Sequence, residues 1–377
     1  MSTPKYQKIA DDFIEKIEKG ELGPGDRLPT EVELGETYGV SRITVTHAIR
    51  LLQNRNLVYR VKGSGTFISK RSTAGSLSIG TKPSNGMSFI SVIFPRGEQD
   101  GAHETLIGIE GECAKGDFYV TIHNSKNKPV LEHNIIMNLL GQGCGGIIVY
   151  PCSSDHHNID VYSELIIRDF PFVVIDRRID LLRVPFVACD NEKAMRDMVA
   201  HLIAKGHQRI GFFCNSTETV SSERERYKGY CEAHIAAGLS VKPGLLFRVA
   251  RDLATVPDLS DVDEQNNRQF GEAALSYFLN AREKPTCVVA VNDILAIALL
   301  KAALAQAVRV PADLSITGFD DLYVAAHVEV PLTTIRQPFE TIGSEAARLL
   351  LGRIKGEANP AAEIRVPAEI VLRDSAR

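Results

Sequence analysis

The stretch TEVELGETYGVSRITVTHAIRLLQ, residues 30–53, decides how the N-terminal end folds. Thr30 can cap a helix running from Glu31 to Tyr38, with Glu33 in the reciprocal position of a capping box. Gly39 closes that helix, because glycine accepts the left-handed turn that ends one. Ser41 then caps a second helix, Arg42 to about Asn54. On it Val45, Ala48, Ile49 and Leu52 recur at helical spacing and form an inward face. The opposite face centres on Ile43, His47 and Arg50, flanked by Thr44 and Thr46. Helix, tight turn, helix is the geometry that lays the second helix in a DNA major groove. There Arg42 and Arg50 can pair with phosphate or guanine, and the Thr44 and Thr46 hydroxyls can reach phosphate or base edges.

Outward from this stretch, LVYRV (57–61) and TFIS (66–69) read as two short strands around Lys62-Gly63-Ser64-Gly65, a hairpin with a charged tip. Its glycines leave room for close backbone approach, as in a wing that reaches the minor groove. The charge distribution agrees. Net charge is -4, yet no Asp or Glu occurs between Glu36 and Glu98, a segment that holds Arg42, Arg50, Arg55, Arg60, Lys62, Lys70 and Arg71. An acid-free stretch in an acidic chain is the footprint of a phosphate-binding surface. Residues 71–87, RSTAGSLSIGTKPSNGM, have linker composition.

From Ser88 onward, apolar runs alternate with amphipathic stretches. The runs include FISVIF (89–94), FYVTI (118–122), GIIVY (146–150), FVVI (172–175), RIGFFC (209–214), CVVAV (287–291) and LSITGF (314–319). Helical stretches fall at 103–115, 130–141, 191–205, 223–237, 268–281, 293–306 and 338–356. Continuously apolar strands separated by helices imply parallel sheets covered on both faces. Residues 88–377 are too many for one such sheet and suit two α/β lobes. Polar residues follow several strands: Pro95 and Arg96 after Phe94, Asp176, Asn292 with Asp293, and Asp320 with Asp321. Ligands bind beyond such strand ends, and carboxylates, an amide and a guanidinium match the donors and acceptors of a sugar. Among them Asp293 is expected to be a helix N-cap.

The remaining signals are negative. With 44% hydrophobic and 24% charged residues the 377-residue chain is ordinary for a soluble protein, and no apolar run nears the ~18 residues of a membrane span. The N-terminus carries no export signal, so a cytoplasmic location is expected. Seven scattered cysteines read as reduced core thiols. Neither a phosphate-binding loop nor a nucleophile elbow nor a zinc-protease motif occurs, and Gly141 to Gly146 reads as a helix stop and turn. No enzyme activity, cofactor or metal is expected.

Two resemblances sharpen this reading. KYQKIADDFIEKIEKGELGPGDRLPTEVELGETYGVSRITVTHAIRLLQ and GSGTFIS resemble the gluconate-repressor (GntR) winged-helix domain over about residues 4–69. In that family the motif residues corresponding to Arg27, Ser41, Arg42, Thr44, Gly65 and Thr66 touch DNA. Thr30, Ile43, Thr46, His47, Arg50, Lys62 and Gly63 complete the expected DNA face. The family usually has Arg where this chain has Thr46, so the operator sequence does not transfer. Residues 88–377 resemble the effector domain of the lactose/galactose-repressor (LacI/GalR) family. The segments are VVIDRRI, HLIAKGHQRIGFF, SSERERYKGY, AVNDILAIALLKA, LSITGFDD and PLTTIRQPFETIGSEAARLLL. That resemblance implies a two-lobed, periplasmic-binding-protein-like fold of type I with a ligand in the cleft and a dimer that changes shape. By motif it places Asp176, Arg224 with Arg226 beside it, Asn292 and Asp320 in the cleft, near Phe94, Pro95 and Arg96. His201 and His207 belong to a structural signature and are read as packing residues. The combination is similar to the arabinose-repressor type of hybrid regulator.

The expected organisation is therefore a DNA-binding domain at 1–70, a linker at 71–87 and a ligand-binding domain at 88–377. The expected function is that of a homodimeric repressor of double-stranded operator DNA, controlled by a small molecule such as a monosaccharide; a nucleobase corepressor is the alternative. A transport protein would lack the first 70 residues. An aminotransferase-like enzyme would need a Schiff-base lysine after a strand. A domain retained only for dimerisation would not respond to any ligand.

Overall fold

The computed structural model describes residues 5–19, 21–23, 25–41, 44–46, 48–49, 52, 57–61, 65–68, 88–95, 101–152, 158–253, 264–357 and 362–377. Contacts divide the chain into two units, Met1–Ile79 and Gly80–Arg377.

In the first unit, helix α1 (Lys5–Glu18) buries Ile9, Phe13 and Ile17, one per turn, against α2 (Glu31–Tyr38), which contributes Leu34. The predicted cap is present: the Thr30 hydroxyl accepts from the Glu33 N–H at 3.3 Å, and the Glu33 carboxylate accepts from the Thr30 N–H at 2.7 Å. Gly39 ends α2 in the left-handed region at φ 59°. Ser41 caps the next helical segment, its hydroxyl accepting from the Thr44 N–H at 3.3 Å. Residues 44–46, 48–49 and 52 are helical, and Val45, Ala48, Ile49 and Leu52 are all buried, as their spacing predicts. Strands β1 (Val58–Val61) and β2 (Gly65–Ile68) pair antiparallel, and Arg27 bridges to Phe67 as a third backbone segment.

The second unit holds two parallel sheets. The first lobe is built on β3 (Phe89–Phe94), β4 (Tyr119–Asn124), β5 (Gly146–Val149), β6 (Phe172–Ile175) and β7 (Phe186–Cys189). Between and after them lie α3 (Ala102–Ala114), α4 (Pro129–Gly141) and α5 (Ile159–Ile167). The second lobe carries α6 (Asn191–Ala204), β8 (Ile210–Cys214), α7 (Ser221–Ala236), β9 (Leu246–Arg248), α8 (Glu264–Asn280), β10 (Cys287–Ala290), α9 (Asp293–Ala305) and β11 (Ser315–Thr317). The chain then returns through β12 (Thr334–Arg336) to α10 (Phe339–Ile354) and β13 (Glu363–Val366), and leaves again through β14 (Glu369–Val371). Sheet order is β13-β7-β6-β5-β3-β4 in the first lobe and β11-β10-β8-β9 in the second, with β12 and β14 paired antiparallel between them. All neighbours within the two large sheets are parallel.

Strands β5, β6, β7, β8 and β10 are buried at every residue, which is why their sequences read as unbroken apolar runs. Sequence patterning missed α5, β7, β9, β12, β13 and β14. β9, β13 and β14 carry three or four residues and no pattern that distinguishes them from loop; pairing across the fold makes them strands. All seven cysteines are free, and six are buried. His207 is buried between the Thr286 hydroxyl at 2.8 Å and the Arg377 carbonyl at 3.0 Å, a packing role. No helix of the described residues is long and apolar enough to cross a membrane.

Candidate ligand cleft and DNA-binding face

The first-lobe and second-lobe strand ends converge where β12 crosses between them. Asp176 follows β6 in the left-handed region (φ 62°), and Asp320 and Asp321 follow β11 at φ 127° and 59°. Aspartate tolerates this region better than most residues, and backbone held there is characteristic of functional sites. Asp320 is buried. Its N–H donates to the Ile335 carbonyl at 2.7 Å, and its carboxylate accepts from Gln337 Nε2 at 2.6 Å and lies 3.7 Å from Arg226 Nη1. Asp321 is neutralised differently, by Arg373 at 2.6 Å and Arg336 at 2.7 Å.

Arg226 is buried within α7. Nε donates to Asn191 Oδ1 at 2.8 Å, Nη1 donates to the Val291 carbonyl, and the guanidinium sits 3.7 Å over the Phe319 ring. Among the described residues Nη2 has no bond partner. Nearby, Tyr150 is pushed well above the usual phenol range, first by burial and then by the Asp176 charge; Arg177 and Arg226 pull it down. Arg177 lies 4.7 Å over the Tyr150 ring and donates to the Pro151 carbonyl at 3.1 Å. Burial pushes the Cys189 thiol up to about 12, with Asp176, Arg226 and Asp320 all close enough to bear on it. Asp176, Tyr150, Arg226 and Asp320 thus form one electrostatic neighbourhood.

Two spaces adjoin it. A cavity of about 540 Å³ is lined by Gly101, Glu104, Asp320, Tyr323, Gln337 and Phe339 among others. A void of about 10 Å³ lies between Phe94, Tyr150, Asp176 and Phe339. The void holds at most about one water; the larger cavity is in the range of small-molecule sites, ~300–1,000 Å³. Gln337 lines the cavity, and its Oε1 is buried without a partner among the described residues.

The sequence-derived residues separate accordingly. Asp176, Arg226, Asp320 and Phe94 come together, and buried Pro95 follows Phe94. Arg224 does not join them: its Nη2 is held by both Asp180 oxygens at 2.9 and 3.1 Å, and its Nη1 donates to the Glu218 carbonyl. Two residues along a helix turn the side chain by roughly 200°, so Arg224 and Arg226 face opposite ways. Asn292 follows β10, but its side-chain Oδ1 accepts from the Leu295 N–H at 2.8 Å and caps α9. The cap expected of Asp293 is therefore supplied by Asn292. Asp293 is instead buried, accepting from the Thr334 hydroxyl and from the Leu322 N–H at 2.8 Å; burial raises its carboxyl to about 6. Arg96 lies outside the described residues.

Sequence patterning missed Tyr150, Asn191, Gln337 and Phe339. Tyr150 ends an apolar strand and falls within the strand-end rule once aromatic residues are admitted to it. Gln337 and Phe339 follow a crossing strand of three residues, which gives no sequence signal of its own.

On the other unit, Arg27, Thr30, Ser41 and Thr46 are exposed and Thr44 is half-buried. Thr66 is buried, and its carbonyl accepts from the Leu28 N–H at 2.8 Å, so it holds the base of the hairpin. Gly65 begins β2. Arg42, Ile43, His47, Arg50, Lys62 and Gly63 lie outside the described residues.

A winged helix-turn-helix joined to a two-lobed parallel α/β domain with a cavity at the strand ends defines a one-component, ligand-binding transcription regulator. Comparison with known proteins agrees. Residues 5–68 match the bacterial regulatory proteins of the gntR family, and residues 199–376 match the periplasmic binding protein-like domain. The arabinose metabolism transcriptional repressor of Halalkalibacterium halodurans is 30% identical over 361 residues, covering 94% of this chain and 90% of that protein. The chain belongs to this family of repressors. The HTH-type transcriptional repressor PurR of Photobacterium profundum is 25% identical over 274 residues, 73% of this chain and 77% of that one. The solved structure of the transcription regulator CcpA of Lactococcus lactis shares the fold, with a TM-score of 0.67 at 22% identity over 78% of this chain and all (100%) of that chain.

Proposed function

We propose that the chain is a repressor that binds operator DNA through residues 1–70 and a neutral monosaccharide, arabinose first among candidates, in the cleft of residues 88–377. Residues 71–87 serve as the linker. The observation that carries the ligand reading is the cavity of about 540 Å³ lined by Asp320, Gln337 and Phe339. Carboxylate and amide oxygens accept from sugar hydroxyls, Arg226 Nη2 donates, and an aromatic face covers the apolar side of the ring. Asp176, Phe94, Pro95, Arg96 and Asn292 complete the cleft as the lobes close on ligand, and Arg224 steadies the loop that carries Asp180. The relative named for arabinose metabolism supports the choice of sugar.

In this reading the protein acts in the cytoplasm as a homodimer without catalytic activity. Each subunit lays residues 42–54 in a major groove of a roughly palindromic site, with Arg27, Thr30, Ser41 and Thr46 facing it and Lys62, Gly63 and Gly65 in the wing, while Thr66 supports the wing from its base. Sugar lowers operator affinity; the coupling between two such sites is typically ~1–3 kcal/mol. The relative named PurR keeps a nucleobase corepressor as the second reading.

The test is a thermal-shift screen of purified protein against pentoses, hexoses and nucleobases, followed by operator binding with and without the hit. A shift with arabinose and release from DNA supports the proposal. A shift with a nucleobase and tighter DNA binding replaces it with corepression. Arg42→Ala should weaken operator binding by over about tenfold at fixed salt, the loss of a bidentate base contact. Unchanged affinity would refute the recognition helix.

A further inference from the structure

Asn191 appears in none of the motifs that mark the cleft, yet it is fully buried at the first turn of α6, where the chain leaves the first lobe for the second. Its two side-chain atoms serve two neighbours in sequence on α7. Oδ1 accepts from Arg226 Nε at 2.8 Å, and Nδ2 donates to Glu225 Oε2 at 3.2 Å. Helices α6 and α7 can meet this closely because Gly229 has no side chain: a Cβ there would lie 2.1 Å from the Glu192 carbonyl.

Glu225, one residue before Arg226, reaches into a cluster that joins the lobes. It accepts from both Arg365 Nη atoms, at 2.6 and 2.8 Å, and from Arg178 Nε at 3.2 Å. Arg178 follows β6 and Arg365 lies in β13, both in the first lobe, and each also pairs with Glu363. Burial pushes the Glu225 carboxyl up, but Arg365 above all holds it below the usual range, so it stays an anion.

We propose that Asn191 is a positioning residue that fixes Arg226 for the ligand and links it to the ion cluster holding the two lobes together. This rests on the proposed sugar cleft. The amide does both jobs at once, its oxygen accepting from the cation while its nitrogen donates to the anion. With Nε held by Asn191 and Nη1 held by Val291, the guanidinium has one orientation, which fixes the position of Nη2 as well. Any shift of Arg226 on ligand binding pulls on the amide and so reaches Glu225, Arg178 and Arg365.

The experiment measures calorimetric affinity of the full chain for whichever sugar of a panel (arabinose, ribose, xylose, galactose, glucose) shifts the wild type most, with the melting temperature of each variant in parallel. Asn191→Ala and Asn191→Asp should each weaken binding about ten- to a hundredfold, the range for a lost bond to a charged group. In Asn191→Asp the acceptor remains but the new carboxylate opposes Glu225. The exchange Asn191→Asp with Glu225→Gln returns the charge count and gives the carboxylate a donor again, so it should recover most of the affinity lost in Asn191→Asp. A purely structural role would lower the melting temperature without this pattern of loss and rescue. Folded Asn191→Ala or Asn191→Asp binding within about threefold of wild type overturns the assignment. If Asn191→Ala does not fold, Asn191→Asp and the exchange decide alone: no rescue by the exchange overturns it. A wild type that answers to none of the panel overturns the cleft reading, and this assignment falls with it.

Discussion

Replacing Arg226 by alanine should be far more damaging than the same change at Arg224, two residues away. Arg226 is 5% exposed and makes two charge-assisted hydrogen bonds, to Asn191 and to the Val291 carbonyl; it covers the Phe319 ring and stands 3.7 Å from Asp320. Its loss takes the donor from the Asn191 and Val291 oxygens and removes the guanidinium that stands beside the buried Asp320 carboxylate. Breaking a buried charge pair from one side costs ~3–5 kcal/mol, because the surviving charge stays desolvated. Arg224 is 41% exposed with a partner that is 45% exposed, and such pairs contribute ~0.2–1 kcal/mol. Urea unfolding followed by circular dichroism should therefore place Arg226→Ala ~2–4 kcal/mol below Arg224→Ala, after the exposed pair is allowed for. Arg226→Lys should recover little, since an ammonium cannot hold the planar, forked geometry. Sugar response should vanish in both Arg226 variants and persist in Arg224→Ala. Equal stability of the two alanine variants within about 1 kcal/mol, or a sugar response retained in Arg226→Ala, would refute the reasoning about burial.

Thr30→Ala removes the hydroxyl that caps α2 and one half of the box with Glu33, and should cost ~1 kcal/mol in unfolding free energy with the ligand-binding unit unaffected. No measurable change would show that the cap contributes nothing to this helix. Asp293 gives a pH signature. Its folded carboxyl titrates near 6 against 3.8 for the ordinary group, so between these values the folded state holds a proton that the unfolded chain has lost. The stability from this group is thus greatest below about pH 4 and is lost as pH rises to about 6, an effect of order 3 kcal/mol at roughly 1.4 kcal/mol per unit. Asp293→Asn should flatten that slope while keeping an acceptor for Thr334 or Leu322; a slope that survives the substitution would assign it to another group.

Much of the architecture was readable from the chain because its strands are short, apolar and buried on both faces, and because its helices carry their own stops. The first helix and the turn of the helix-turn-helix were legible to the residue: Thr30, Gly39 and Ser41 act through local geometry that sequence spacing reports directly. The cleft was legible only in part. Strand ends pointed to Asp176 and Asp320, but the same rule could not separate Asn292 as a helix cap from Asp293 as a buried acceptor. A pair of arginines two residues apart looks like one site in a motif and is split by the helix into two. Tyr150, Gln337 and Asn191 acquire their roles from chain crossings between the lobes, contacts between distant segments that no local pattern encodes.

The six-stranded sheet is finished by β13, whose residues 363–366 pair with 186–189, and it is roofed by α10. During synthesis that lobe must wait, with one strand edge bare and an apolar face uncovered, until nearly the whole chain has emerged. At ~5–20 residues per second the wait is roughly 10–40 s. The helix-turn-helix unit lies within Met1–Ile79 and so emerges first. A nascent or prematurely terminated chain therefore presents a finished operator-binding end with no working control behind it. Stop codons late in the coding sequence should yield products that ignore their signal or are degraded, and never a half-sized sensor.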